Sequence, residues 1–362
     1  VAGTITLTVD GGTAANPLSL SIDAGALTLA GQTVGAAAPG TVTFTVTGTN
    51  FGTRPQMVPL FHRFFAPGEI TDGALASSVG YSLGVNSVYC DDDTGYVPGH
   101  GCLTHTTTLG LQDSFPHLYF VPTTAKQKIF QSYVYRLTRI AGSASGTFQM
   151  KGPRTSYSTE YTGTPRITSS FYHSLAGDAL SYTNMSAFSP SEAGADDFGI
   201  SSTYKSRFRA DDWNTVENLT DWGSVGSSNG FQRIWHNGAQ VGPFISGGYD
   251  SDALAIRSSS DELIEFVSLF PGFDFPGVTT CQWRVEFADH YVDDTPARVV
   301  IGNAATWAAC THKQIMIPNA WSDASVTAQW RTLAFATSGQ TVYAYVINSA
   351  ETVSSATSLV VP

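Results

Sequence analysis

Charge is scarce in this chain of 362 residues: Asp, Glu, Lys and Arg together make up 13% of it, about half the usual share. That scarcity excludes stabilisation by ion-pair networks of the hyperthermophile kind. Thr, Ser, Gly and Ala supply the polar surface instead, as in extracellular or particle-borne β-proteins. Positive charge is scarcest, with 18 Lys and Arg against 29 Asp and Glu and a net charge of −11. No basic cluster offsets the excess, so a phosphate backbone is repelled and nucleic acid is not an expected partner. No apolar run approaches the ~20 residues that span a bilayer, so no membrane insertion is expected. No signal peptide stands at Val1, which fits either cleavage before Val1 or loss of an initiator Met. Cys-x-x-Cys, His-x-His, His-Glu-x-x-His, Gly-x-Gly-x-x-Gly and Walker-type loops are all missing, which leaves zinc and nucleotide chemistry without a foothold.

What is present is β-structure. Hydrophobic residues reach 42% and aromatics 12%, enough for a sizeable core. Alternation of β-branched or aromatic residues with small polar ones predicts strands at Gly3–Val9, Leu18–Ile22, Ser132–Arg136, Gly146–Met150, Phe231–His236 and Gln282–Asp293. Turn residues separate them and no long 3.6-residue period interrupts, which predicts an all-β sandwich, jelly roll or barrel. Asn237-Gly238 suits a type I′ hairpin turn. Residues 1–37 carry only Asp10 and Asp23 as charges and read as a strand-rich arm, paired either with a neighbouring subunit or within its own chain.

Two distant stretches share one character. The first is Gly40-Thr-Val-Thr-Phe-Thr-Val-Thr-Gly-Thr-Asn-Phe-Gly52. The second comprises Ala297–Gly302, Trp321-Ser-Asp-Ala-Ser-Val-Thr-Ala-Gln329 and Thr341–Ala350, with Val360. Together they resemble the immunoglobulin-like TIG (IPT) domain, in which a Gly-x-Asn-Phe-Gly turn closes an early hairpin and a Trp-Ser-Asp strand lies on the opposite edge. The resemblance implies a TIG domain split into 38–58 and 297–362, with residues 59–296 inserted. Within the insert, Asp212–Glu217 followed by Phe231–Val241 resembles strand pairs of concanavalin-like (laminin-G-like) sandwiches, and Val285–Asp293 resembles their last strand. The implied fold is therefore a concanavalin-like jelly-roll sandwich inserted in an Ig-like TIG sandwich behind an N-terminal β-strand arm.

Concanavalin-like sandwiches include glycosidases and polysaccharide lyases, so catalytic patterns matter. A retaining glycosidase places two carboxylates about 5 Å apart, and no Glu-x-Asp-x-x-Glu strand occurs. Asp261–Glu265 reads as a solvated edge. Alginate-lyase-like sandwiches carry Arg-x-Glu-x-Arg, Gln-x-His and Tyr-rich strands. Arg284-Val-Glu286 is the nearest fragment and reads as an ion-paired outward face. A diverged lyase would use His236, His290 or Tyr291. Gly226–Gly230 matches Gly-x-Ser-x-Gly but sits in a loop leading into a strand, not in a strand–turn–helix.

Sugar rings stack on exposed aromatics. Trp222, in the loop text Thr220–Ser224, is the preferred platform, with Tyr249 and His236 beside it as ligand-binding candidates. Trp213 and Trp235 sit in strand text and read as core. The run Asp91-Asp92-Asp93 offers hard oxygen ligands, which makes calcium the one candidate cofactor; the competing reading is a solvated loop tip. Cys90 and Cys102 bracket a Gly-rich loop that a disulfide would stabilise by roughly 2–3 kcal/mol. Cys281 would then pair with Cys310, tying the end of the insert to the split domain. Four free buried thiols are the alternative.

These readings converge on a non-enzymatic structural protein displayed on a virion or extracellular surface, with a lectin-like domain for glycans. Residues 1–37 and the TIG portion would join it to further copies in a homo-oligomer or larger assembly. A polysaccharide lyase or glycoside hydrolase on the same sandwich is one alternative, and a secreted bacterial adhesin is another.

Overall fold

The computed structural model describes residues 42–81, 88–107, 118–142, 211–240, 259–270 and 282–362. It also describes the shorter pieces 4–9, 18–23, 26–27, 113–114, 147–151, 153–157, 166–168, 170–176, 184–187, 196–199, 209, 245–246, 249–250, 257 and 272–274. Nearly all regular structure is antiparallel β-sheet. Among the described residues the helical pieces are two 3-10 turns, Ala76–Val79 and Trp307–Ala309. The chain divides into two compact units, Val1–Pro59 with Thr295–Pro362, and Leu60–Asp294.

In the discontinuous unit, Val42–Thr47 buries Val42, Phe44 and Val46 while Thr43 and Thr45 stay half-buried, the period-2 alternation of a strand with one dry face. It pairs along its length with Ser325–Gln329, from Thr43↔Gln329 to Thr47↔Ser325. On the wetter face, Thr45 Oγ1 meets Thr327 Oγ1 at 2.8 Å. The sheet continues through Thr4–Val9, which pairs at Thr8↔Thr43, then Leu18–Asp23 and Ala26–Leu27. Its other edge is Pro318–Trp321. A second sheet runs Lys313–Met316, Arg298–Gly302, Thr341–Ile347, Thr357–Val360. Val299, Ile301, Met316, Val342 and Val346 from it share one apolar core with Phe44, Val46 and Val326. Phe44 meets Trp330 edge-on at 5.4 Å.

The Gly-x-Asn-Phe-Gly and Trp-Ser-Asp segments meet physically. The Gly48 and Phe51 amides donate to the Ala324 and Asp323 carbonyls at 3.0 Å. Gly52 N–H donates to Asp323 Oδ1 at 2.9 Å, and Trp321 Nε1–H donates to the Phe51 carbonyl at 3.3 Å. Asn50 takes φ 64°, which Asn tolerates better than most residues. Phe51 folds back beneath Gly48, where an added Cβ would lie 2.5 Å from the ring. That close approach is why glycine stands there.

The Leu60–Asp294 unit is built on a large sheet. Its order is Ala239–Gln240, Phe231–His236, Asn214–Asp221, Lys128–Ala141, Gln282–Asp293, Cys102–Thr106, Tyr89–Asp91, with Phe61–Arg63 also paired to Gln282–Asp293. The incoming and outgoing strands lie side by side through Phe61↔Val292. Asn237 and Gly238 take φ 47° and 77°, the two positive values of a type I′ turn. One face of the large sheet packs Tyr133, Tyr135, Val216, Val285 and Phe287 into a core shared with Val267 and Leu269 of Phe266–Phe270, giving a β-sandwich. Phe266–Phe270 belongs to a four-stranded sheet with Leu118–Phe120, Arg154–Tyr157 and Arg166–Thr168.

The expected disulfides are absent. Cys90 pairs in register with Leu103, and Cys102 with Asp91. Being one register step apart, the two thiols emerge on opposite faces of the sheet and cannot bond. Both are buried free thiols, and burial pushes Cys102 up to about 12. Cys310 is also free, with its sulfur 3.4 Å from the Ala304 and Thr306 carbonyls. Cys281 lies outside the described residues.

Phe44 ties the two sheets of the discontinuous unit together. Phe44→Ala is therefore expected to cost ~3–5 kcal/mol, read as a lower urea midpoint, and a loss below about 1 kcal/mol would contradict this packing.

Candidate functional site

The long strand Lys128–Ala141 is the centre of the large sheet, and its two faces differ in chemistry. Between Ser132↔Tyr291 and Val134↔Ala288 the register slips by one residue. The extra residue is Asp289 at φ 52°, a β-bulge in the Gln282–Asp293 strand. Beyond it, His290 reaches the Gln131 side of the sheet.

There the inner face carries a buried, uncharged hydrogen-bond cluster. His290 Nδ1 lies 3.0 Å from Tyr81 Oη, and His290 Nε2 lies 3.1 Å from Gln131 Nε2. Gln131 Nε2 also approaches the Ser268 carbonyl at 3.5 Å, so its NH2 group points this way and donates to His290 Nε2. The ring proton therefore sits on Nδ1 and is donated to Tyr81. The Tyr81 and His290 rings stack at 5.6 Å. Burial, helped by the Arg63 charge, lowers His290 from 6.5 to about 3, so the imidazole is neutral. Burial likewise raises the Tyr81 and Tyr133 phenols well above their ordinary value. On the neighbouring strands Asn218 Oδ1 accepts from Gln232 Nε2 at 3.2 Å and from Thr220 Oγ1 at 3.4 Å.

The opposite face carries the charges. Glu286, fully buried, takes a bidentate pair from Arg136, with Nε–Oε2 and Nη2–Oε1 both 2.6 Å. Those bonds hold the Arg136 proton more firmly than usual. Arg284 approaches Glu286 Oε1 at 3.7 Å and is 38% exposed, so two guanidiniums share one carboxylate. Arg136 lies 4.9 Å over the Trp213 ring, and Tyr96 meets Trp213 edge-on at 5.8 Å. Trp213 and Tyr96 are half-buried. Two rows along the same face, Trp235 stands opposite Glu217 and is half-buried too. Thr138 and Thr215 on the same face are half-buried, whereas the Thr104 hydroxyl is buried. The arrangement offers aromatic surface and a locked guanidinium, Arg136, at a rim around a buried centre of Ser132, Val134 and Ala288.

The candidate residues fall differently from their expected places. Trp222 is no platform: it is fully buried, with its backbone N–H on the Gln127 carbonyl at 3.0 Å as the chain leaves the Asn214–Asp221 strand. His236 is also buried, its Nε2 3.1 Å from Tyr135 Oη, so it faces the core. Tyr249 forms a two-residue strand against Ile245–Ser246, and its side chain lies outside the described residues. Asp91, Asp92 and Asp93 form a turn: Asp91 Oδ1 accepts the amides of Asp93 at 3.3 Å and Thr94 at 3.2 Å. A hydrogen bond with Asp91 also pushes the Asp93 carboxyl up. Among the described residues no group of three or more His, Cys, Asp or Glu is arranged to hold a metal ion.

Trp213 and Trp235 read from sequence as core, and Arg136 has no assigned role. Strand parity carries the missing signal: Val216, Asn218 and Thr220 take the inner face, which leaves 213, 215 and 217 on the other.

No protein-family model and no curated protein matches the chain. Among solved structures, an endo-β-1,4-glucuronan lyase from the fungus Trichoderma reesei is 11% identical, with TM-score 0.42, covering 66% of this chain and 96% of its own. The alginate lyase Aly36B is 12% identical, with TM-score 0.46, covering 65% and 97%. A carbohydrate esterase from the Shiga toxin-encoding bacteriophage phi24B is 11% identical, with TM-score 0.38, covering 66% and 98%. All three scores lie below one half, and no residue role in this chain follows from them.

Two measurements test this geometry. The unfolded chain binds a proton at His290 below 6.5, whereas the folded chain resists it down to about 3. The stability contributed by neutral His290 is therefore complete above pH 6.5 and is lost as pH falls toward 3. His290→Gln should flatten the pH dependence of the urea midpoint across that window, and an unchanged slope would contradict the assignment. Second, Arg136→Met should cost on the order of 3 kcal/mol by leaving Glu286 short of a partner. The double variant Arg136→Met/Glu286→Leu should recover most of that loss, and a double variant no more stable than the single would contradict it.

Proposed function

We propose that the Leu60–Asp294 unit is a concanavalin-like, saccharide-binding sandwich. Its site is the rim of the large sheet marked by Trp213, Arg136 and Trp235. The observation that carries this reading is Trp213 itself: a half-buried indole on the charged face, stacked on a guanidinium that Glu286 locks in place. An aromatic face held rigidly and left partly open suits the apolar face of a sugar ring, while threonine hydroxyls and arginine N–H groups suit its hydroxyls.

Binding without turnover is the reading that the proton chemistry favours. Glu286 is held by Arg136 and cannot act as a general acid while so paired. His290 is buried and bonded at both ring nitrogens. We read the Val1–Pro59 and Thr295–Pro362 unit as the TIG-like mount of a structural protein displayed on a virion or extracellular surface, attached to further copies of itself. Its two antiparallel sheets over one apolar core fit an Ig-type sandwich.

Titration of the protein with a panel of neutral and acidic oligosaccharides tests the reading by calorimetry. Trp213→Ala is expected to weaken binding at least tenfold, with the urea midpoint held to show that the fold survives. Equal affinity in wild type and variant would overturn the site. Ultraviolet-absorbing unsaturated products or new reducing ends on prolonged incubation would replace binding by lyase or hydrolase activity.

A further inference from the structure

We infer that the sandwich interior contains a built-in hydration site at the junction of Gln131 and Asn218. The two residues stand directly opposite each other on paired strands, on the same face, and both are buried. Each amide is oriented by its other contacts. The Ser268 carbonyl can only accept, so the Gln131 NH2 group lies on that side and Oε1 turns away from it. Asn218 uses Oδ1 for Gln232 and Thr220, which directs its NH2 group elsewhere.

Gln131 Oε1 and Asn218 Nδ2 have no hydrogen-bond partner, nor has Tyr133 Oη, two residues along on the same inner face. An acceptor and a donor left unpaired on directly opposed residues in a dry core are costly. One ordered water meets both needs by accepting from Asn218 Nδ2 and donating to Gln131 Oε1. The site is uncharged: His290 is neutral, and the Tyr81 and Tyr133 phenols keep their protons. Water fits such a site where an ion does not. With the water in place, a continuous chain runs Tyr81–His290–Gln131–water–Asn218–Gln232 across the central strands.

A high-resolution crystal structure of the full chain tests this directly. The expected result is a water peak within hydrogen-bond distance of both Gln131 Oε1 and Asn218 Nδ2. A direct amide–amide bond, or no density between them, overturns the inference. Urea midpoints of Gln131→Leu, Asn218→Leu and the double variant give a second reading. A shared water predicts a double-variant loss well below the sum of the two single losses. Losses that add fully would overturn it.

Discussion

The constraint on which the rest of the structure depends is the pairing of Val42–Thr47 with Ser325–Gln329. Each strand is short, and each buries only two or three apolar side chains, so neither would hold alone. Their ladder joins segments that the chain separates by the whole of the Leu60–Asp294 unit. Loop-closure entropy grows only logarithmically, by about 0.6 kcal/mol per doubling, so a long excursion costs little more than a moderate one. The excursion is also closed on itself, because Phe61 pairs with Val292 at its two ends. Within the discontinuous unit, the Asn50–Phe51–Gly52 turn and Asp323 add main-chain and side-chain hydrogen bonds beside the ladder.

In the inserted unit a single strand, Lys128–Ala141, does two jobs through its alternation. Its odd positions, Gln131, Tyr133 and Tyr135, face the core, while Arg136 faces the charged rim. The bulge at Asp289 matters because without it the parity of Gln282–Asp293 would place His290 on the other face. One extra residue thereby gives the core its neutral imidazole and keeps Glu286 opposite Arg136. Rigidity of the rim follows from the same source: the guanidinium under Trp213 is fixed by a carboxylate that the sheet holds out of water.

Much of the secondary structure was legible because period-2 alternation is a local signal. Gln282–Asp293 and Phe231–His236 have the expected bounds, and the Asn237-Gly238 turn takes both expected positive φ values. The site was not legible, because it depends on which face of a strand is dry. Trp222 reads as loop text yet is buried, whereas Trp213, which reads as core, packs half-buried against the core beside Arg136, and Trp235 lies half-buried on the charged face. The cysteines failed for the same reason: spacing suggested a closed loop, but one register step put Cys90 and Cys102 on opposite faces. His290 could not be placed from sequence at all, since its position follows from a bulge that no residue type announces.

Indole N–H resonances offer the most direct test of the central claim, that the charged rim of the large sheet is where saccharide binds. Trp222 and Trp283 are buried and serve as internal controls. On titration with a bound oligosaccharide, the account predicts shifts at Trp213 and Trp235 while Trp222 and Trp283 stay in place. Shifts confined to tryptophans of the discontinuous unit, or none at Trp213, would contradict it.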